Sequence, residues 1–99
     1  MVKHMIIWHL REDLPDRAAT AAAIKEALEG LVGKIDGLLE MHILTERMDC
    51  SSGDVMMDST FASAEALAAY QKNPLHQAVA NGLVRPAVDS RLSFDYEQK

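Results

Sequence analysis

Four segments of the chain predict β-strands, the first by a dense apolar run and the other three by side chains that alternate between two faces at a period of two. They are residues 3–10, 38–46, 55–61 and 92–97. The first is mostly apolar on both sides, with His4, Ile6 and Trp8 on one face and Met5 and Ile7 on the other. We therefore expect this strand to lie at the centre of a sheet that is covered on both faces.

A longer spacing predicts the first helix. Asp13, Pro15 and Asp16 are helix-start signals, and apolar residues then recur every three or four positions, so the helix should run to about Val32. The apolar stripe consists of Ala21, Ile24, Leu28, Leu31 and Ile35. A stripe of this kind packs on one face of a sheet.

The second helical region is broken in two by Asn73 and Pro74. Ser63 is expected to cap a short helix over residues 64–72. Asn73 accepts hydrogen bonds from free backbone N–H groups and Pro74 fills a first helical position, so another helix is expected from Pro74 to near Asn81–Gly82. The buried side of this last helix is predicted to carry Leu75, Val79 and Leu83.

The order of these elements is β-α-β-β-α-β, which is the ferredoxin-like arrangement of the α+β class. We expect one domain over residues 1–99, with a four-stranded antiparallel sheet and both helical crossovers on one face. The second face would stay open although its strands carry apolar side chains. Burying that face against a second copy would be worth about 10 kcal/mol before association costs. The pattern thus predicts a homodimer formed through the open sheet face.

Composition and charge restrict the partners. The net charge of −5 and the absence of a Lys/Arg cluster argue against nucleic acid or an anionic membrane as the main partner. No segment approaches the roughly 20 apolar residues that a membrane span needs, and the apolar run in residues 1–10 is too short for a signal peptide. The single Cys50 lies in a polar loop, which fits a reducing compartment. We expect a cytoplasmic protein.

The helix break brings an aromatic hydroxyl and an imidazole together in the sequence. Tyr70 should lie on the last turn of one helix and His76 on the first turn of the next, so both polar ends can point into one space. The partial positive charge of a helix start favours a neutral His76, which is the form that a general base needs. The alternative is a core tyrosine and a polar residue near a cap, and spacing alone favours this alternative.

The other candidate residues give weaker signals. His4 shares a face with Trp8 and is either a pocket histidine or a hydrogen-bonded core histidine. His9 and His42 are interpreted as polar strand residues. No metal is expected, because the chain has no compact H-x-x-x-H or C-x-x-C spacing. Cys50 has no cationic or helix-start neighbour that would activate a nucleophile.

Five segments spread over nearly the whole chain form a recognisable set. They are KHMIIW (3–8), GKIDG (33–37), FASAEALAAY (61–70), NPLH (73–76) and FDY (94–96). Together they resemble the stress-responsive dimeric α/β-barrel domain, often called Dabb. The resemblance implies a ferredoxin-like fold in which two protomers close their sheets into a shared barrel.

One branch that the chain resembles is a plant polyketide cyclase, which closes a linear polyketide into an aromatic acid by an aldol-type condensation without a cofactor. Its catalytic tyrosine and histidine match Tyr70 and His76, with Pro74 between them, and His4 matches a histidine near its pocket. The resemblance implies that His76 is the general base and that Tyr70 donates to the substrate carbonyl. His4, with Trp8 beside it, is then assigned to substrate binding, and no cofactor is needed.

Three functions from different classes follow from this sequence. The first is a cofactor-free cyclase or lyase that acts at Tyr70 and His76 on a polyketide-like or aromatic molecule. The second is a non-catalytic, stress-associated dimer or ligand-binding protein. The third is a cofactor-independent monooxygenase, which rests on fold analogy alone.

Overall fold

The strands and helices follow the predicted order. The computed structural model describes residues 1–99. Its strands are β1 (Val2–Leu10), β2 (Leu38–Leu44), β3 (Val55–Phe61) and β4 (Val88–Glu97). Its helices are α1 (Arg17–Glu29), α2 (Ala64–Lys72) and α3 (Pro74–Val79). A π-helical turn (Ala80–Val84) and a 3-10 turn (Arg85–Ala87) connect α3 to β4.

The four strands form one antiparallel sheet in the order β2-β3-β1-β4. β1 is one of its two central strands, as its two apolar faces predict, and His4 lies opposite Ser59 of β3 and Asp95 of β4. The helices cover one side of the sheet, which we call the inner face, and the other side is the outer face. The predicted α+β, ferredoxin-like fold is confirmed.

The three predicted helix caps are all present. In each case a side-chain oxygen accepts a hydrogen bond from a backbone N–H group in the first turn. The bonds run from Ala19 N–H to Asp16, from Ala66 N–H to Ser63 and from Leu75 N–H to Asn73, at 3.0, 3.1 and 2.8 Å. Asn73 also ends α2, so the chain turns there and α3 starts in a new direction.

The core fills the space between the inner face and the helices. Ile6, Trp8 and Leu10 of β1 are buried, and so is the whole predicted stripe of α1 and the turn after it. Phe61 at the end of β3 and Tyr70 on α2 are among the most deeply buried side chains. Large apolar side chains thus hold α2 against the sheet close to the helix break.

A β-bulge changes the side-chain directions in β2. Strict alternation along β2 would place Leu39 on the same face as Met41 and Ile43. A register shift between Leu38 and Glu40 leaves Leu38, Met41 and Ile43 buried but leaves Leu39 44% exposed. One extra residue in a strand inverts the alternation on one side of the bulge.

The predicted buried side of the last helix is wrong at Leu75, whereas Val79 and Leu83 are partly buried and pack against the core. Leu75 is 46% exposed, whereas Ala80 and Val84 are buried and His76 is half-buried. These three residues are spaced by four, so they form the neighbouring stripe, and the helical path continues through the π-helical turn past Asn81–Gly82. The rotation that starts at Pro74 therefore turns His76, rather than Leu75, towards the sheet.

The two edges of the sheet differ in their cover. At the β2 edge, Lys25 donates to the carbonyl oxygen of Ile43 and Glu29 accepts from the N–H group of Ile43, both at 2.9 Å. Lys25 and Glu29 also form an ion pair at 2.8 Å. At the opposite edge, β4 is exposed from Asp89 to its end. α1 thus occupies backbone groups of one edge strand only.

Asp54, just before β3, holds the end of the sheet together. Its carboxylate accepts from the N–H group of Leu10 at 2.8 Å and from Arg17 and Arg47 at 2.9 Å each. Burial alone would raise the pKa of Asp54, but these three donors outweigh it and lower the pKa below 3.8. We call Asp54 with Leu10, Arg17 and Arg47 the Asp54 cluster.

The outer face is partly apolar and open. Leu44, Met56, Ile7 and Leu92 follow one another across the four strands. Leu92 is 75% exposed, and its neighbour Phe94 on β4 is 69% exposed. A continuous apolar surface of this kind is typical of an interface.

None of the helices has the length and apolar character of a membrane span.

Candidate functional site

A cavity of about 390 Å³ lies between the inner face of the sheet and the α2–α3 region. Its apolar lining includes Ile6, Trp8 and Met57. Tyr70 and His76 line the same cavity from the helical side. The volume is at the lower end of the range for pockets that hold small organic molecules, and the lining combines apolar walls with a few polar groups, as such pockets do.

The helix break brings Tyr70 and His76 into contact. Their ring centroids are 4.1 Å apart and the ring planes are inclined by 34°. Phe61 packs against Tyr70 with a centroid distance of 4.8 Å, and His4 meets Phe61 edge-on at 6.2 Å. Two imidazoles, His4 and His76, therefore stand at the two ends of a row of four rings, and both line the cavity.

His76 has one ring nitrogen without a partner. Its Nδ1 is buried and makes no hydrogen bond within the chain. Burial lowers the pKa of His76 below 6.5, while the backbone carbonyl of Gln71 acts in the opposite direction. Positive charge on His4, Arg85 and Arg91 lowers the pKa of His76 further. A neutral imidazole with a free nitrogen is equipped to accept a proton.

Tyr70 is a buried residue whose hydroxyl has no acceptor within the chain. The residue is 1% exposed, and its hydroxyl takes part in none of the side-chain hydrogen bonds of the protein. Burial raises the pKa of Tyr70 well above its ordinary value of 10.0, so the hydroxyl stays protonated. A protonated hydroxyl in a cavity wall can donate to a carbonyl oxygen, including one that gains negative charge during a reaction.

His4 is held in place by a carboxylate. Its Nδ1 is hydrogen-bonded to Asp95, directly opposite on β4. The backbone carbonyl of His4 accepts a bond from the Ser59 hydroxyl at 2.7 Å. With Nδ1 occupied by the carboxylate, Nε2 is the nitrogen left for a ligand, and a bond of this kind fixes the ring orientation. His4 thus combines both readings of the sequence, since it is buried and also lines the cavity.

Sequence reasoning placed four residues at the site, and all four line one cavity: His4, Trp8, Tyr70 and His76. It missed Asp95, Arg85 and Arg91. The signal for Asp95 was present in β4, where Asp95 and Arg91 alternate with the apolar Leu92 and Phe94. That polar side meets the inner face of β1 once the register is known.

The remaining candidates lie elsewhere. His42 on β2 is exposed beside Glu40, and Cys50 is an exposed free thiol. His9 lies outside the cavity and is hydrogen-bonded to Asp89 at 2.7 Å. No three His, Cys, Asp or Glu side chains are grouped so as to hold a metal ion.

The sequence of the whole chain agrees with one protein family. The family described as the stress responsive A/B barrel domain matches residues 2–98. A search of curated proteins gives no match.

Solved structures agree with the fold. A dimeric protein of ferredoxin-like fold from Bacteroides fragilis is 26% identical, with a TM-score of 0.88 and coverage of 98% of this chain and 95% of that one. A hydroxynitrile lyase from Passiflora edulis is 16% identical, with a TM-score of 0.79 and coverage of 96% and 90%. A candidate antibiotic biosynthesis monooxygenase from Nitrosomonas europaea is 10% identical, with a TM-score of 0.77 and coverage of 99% and 98%. The last two likenesses concern the fold alone.

Proposed function

Because the chain belongs to the stress-responsive A/B barrel domain family, we propose that it is a dimeric enzyme that performs acid–base chemistry of the aldol type on a small polyketide-like carbonyl compound. Tyr70 and His76 carry the reaction. One observation supports this above all: a free imidazole nitrogen and an unbonded tyrosine hydroxyl belong to two touching rings in the wall of one cavity.

The chemistry requires only a proton shuttle. The substrate carbonyl oxygen accepts a hydrogen bond from Tyr70, which stabilises negative charge on that oxygen. Neutral His76 removes a proton from the adjacent carbon, and the resulting carbanion attacks a second carbonyl carbon, forming a carbon–carbon bond. The imidazolium then returns its proton to the new alkoxide. These reaction steps involve no oxidation or reduction. The same steps in reverse break a carbon–carbon bond, which is the reaction of a lyase.

The lowered pKa of His76 fits this role. A base must be deprotonated when the substrate arrives, and burial keeps His76 neutral below the ordinary value of 6.5. The raised pKa of Tyr70 fits equally, because a donor must keep its proton. Two neighbouring groups whose pKa values shift in opposite directions are typical of acid–base pairs.

His4 and Trp8 are proposed to position the substrate. Asp95 holds the His4 ring, and Trp8 offers a flat apolar surface in the same cavity wall. A planar substrate portion can pack on Trp8 while the free nitrogen of His4 bonds a polar group. Positioning of this kind contributes to the rate because it fixes the reacting atoms next to the base.

The homodimer is proposed to form through the outer face. Support comes from the exposed apolar row that includes Ile7 and Leu92, and from similar structures that are described as dimeric. We expect Leu92→Asp to give a monomer in analytical ultracentrifugation, because it places a charge in the interface. Leu75→Asp, on α3 and away from the outer face, is the matched control and should stay dimeric. A dimeric Leu92→Asp variant would refute this interface.

The catalytic proposal can be tested without the natural substrate. Phenylacetone fits the apolar cavity and carries exchangeable protons next to a carbonyl. In D2O, proton NMR should show that the wild-type protein accelerates loss of the benzylic CH2 signal. His76→Ala should lower the protein-catalysed rate by about 10²–10⁴-fold, which is the usual contribution of a general base. His42→Ala, at an exposed histidine, is the matched control and should keep the wild-type rate.

The alternatives predict different results. A ligand-binding protein without catalysis would shift the phenylacetone resonances but leave the exchange rate at the buffer value. A monooxygenase would consume oxygen in the presence of an electron-rich phenol such as hydroquinone. Either result, or an unchanged rate in His76→Ala, would overturn the acid–base proposal.

A further inference from the structure

Two of the five arginines have no carboxylate partner, and both line the cavity. Arg11 pairs with Asp13, and Arg17 and Arg47 both pair with Asp54. The two arginines that form no ion pair are Arg85 and Arg91. Both are exposed, and neither pairs with a carboxylate although carboxylates outnumber cations in this chain of net charge −5.

The carboxylates near these arginines are engaged with other groups. Asp95, on the same strand as Arg91, is bonded to His4, and Asp89 is bonded to His9. Arg85 makes a single side-chain hydrogen bond, to the neutral amide of Asn81. Arg91 makes none. The two arginines that line the cavity therefore have guanidinium donors that are largely free within the chain.

The arginines reach the cavity from two different elements. Arg85 lies in the 3-10 turn after the helices, and Arg91 lies on β4 opposite Trp8. Both are close enough to His76 for their charges to act on its ring. An anion bound between them would thus lie near the proposed reaction centre and in contact with the Trp8 side of the cavity.

We propose that the ligand of this cavity carries a carboxylate group and that Arg91 and Arg85 bind it. A guanidinium group offers paired N–H donors that match the two oxygens of a carboxylate. The apolar walls then hold the carbon skeleton, so we expect the ligand to be a small, partly apolar organic acid. This inference rests on the proposed function for the reacting carbonyl group, but binding can be measured independently of turnover.

The test compares two probes of nearly the same shape, one anionic and one neutral. 4-(2-Oxopropyl)benzoate carries a ketone and a carboxylate, and 4-(2-oxopropyl)benzamide replaces the carboxylate by a neutral amide. Dissociation constants are measured by NMR chemical-shift titration at low salt. We expect the wild-type protein to bind the carboxylate at least about tenfold more tightly, as one charge-assisted pair provides. The preference should shrink as salt is added.

Substitutions then show which arginine causes the preference for the carboxylate probe. Arg91→Gln should remove most of it and leave the affinity for the amide unchanged, while Arg91→Lys should keep part of it because the charge remains. Arg85→Gln should give a smaller loss, since Asn81 already uses part of that guanidinium. Arg11→Gln removes the same charge far from the cavity and should behave like the wild type.

Equal binding of both probes would overturn the inference while leaving the cavity and its acid–base pair untouched. A preference that persists in both Arg91→Gln and Arg85→Gln would also overturn it. An arginine-dependent preference without any exchange of the CH2 protons would support carboxylate binding and refute the catalytic proposal. The two failures are therefore distinguishable.

Discussion

The Asp54 cluster and the Tyr70–His76 pair are both buried and polar, but they use their hydrogen-bonding groups in opposite ways. Asp54 receives three donors, from a backbone amide and two arginines, at 2.8–2.9 Å. His76 keeps a buried nitrogen without a partner, and the Tyr70 hydroxyl forms no hydrogen bond within the chain. Burial destabilises the polar groups of both sites, but only the Asp54 cluster compensates for this cost with hydrogen bonds within the chain.

This difference separates a structural site from the proposed functional one. A buried polar group with all its partners stabilises the fold, and its loss leaves other groups unpaired. A buried polar group without a partner costs stability, so a protein retains it where a ligand supplies the missing bond. We expect substitutions at the Asp54 cluster to change stability and substitutions at the pair to change activity.

The largest effect is expected from Asp54→Ala. The change removes the acceptor of the buried Leu10 N–H group and the carboxylate partner of Arg17 and Arg47, so the free energy of unfolding should fall by about 2–4 kcal/mol. Urea denaturation measures it. Asp36→Ala, at an exposed aspartate without a side-chain contact, is the control and should stay within about 0.5 kcal/mol of the wild type. A folded Asp54→Ala protein that had lost proton exchange would contradict the separation of the two sites.

Tyr70→Phe should show the reverse pattern. The exchange rate should drop by about 10²-fold, as when one donor to a charged oxygen is removed. The free energy of unfolding should stay within about 0.5 kcal/mol, since the hydroxyl has no partner to lose. Tyr96→Phe on the outer face is the control and should leave the rate unchanged. A marked loss of stability in Tyr70→Phe would show that the hydroxyl is structural.

The smallest expected effect is a change of stability with pH, which comes from two histidines whose pKa values shift in opposite directions. The hydrogen bond to Asp89 raises the pKa of His9, and the nearby Asp54 and Glu12 carboxylates add to it. Burial lowers the pKa of His76. NMR titration of the imidazole protons should therefore place His9 above 6.5 and His76 below it.

The sign of the stability change follows from these shifts. For His9 the raised pKa stabilises the fold below pH 6.5, and this contribution is lost as the pH rises through the folded-state pKa. For His76 the lowered pKa stabilises the fold above pH 6.5, and this contribution is lost as the pH falls towards the folded-state pKa. His76→Gln should abolish the loss of stability that occurs as the pH falls below 6.5, whereas His42→Gln should not. Titration of both rings on the same side of 6.5 would contradict the comparison.

The sequence allowed the fold and part of the candidate site to be predicted, because both depend on local patterns. Period-two alternation identified the strands, and the Asn73-Pro74 break placed Tyr70 next to His76. His4 was left open, since its neighbours in the sequence do not show whether a partner exists. That partner, Asp95, is 91 positions away and meets His4 only through the β1–β4 register.

The same reason explains the other omissions. Asp54 looks like a loop residue in the sequence. Its two arginine partners are Arg17 on α1 and Arg47 in the loop between β2 and β3. The inward turn of His76 in place of Leu75 depends on the angle at which α3 starts, which apolar spacing alone does not determine. Side-chain partners that come from distant elements require the assembled fold.

The contact of Lys25 and Glu29 with Ile43 has a consequence for aggregation. A β-sheet polymerises when a new strand adds at one edge and leaves a further edge exposed for the next. Here the N–H and C=O groups of Ile43 are already bonded to α1. A strand that adds at β2 must displace these two bonds, whereas a strand that adds at β4 displaces none, so we expect unwanted strand pairing to start at β4.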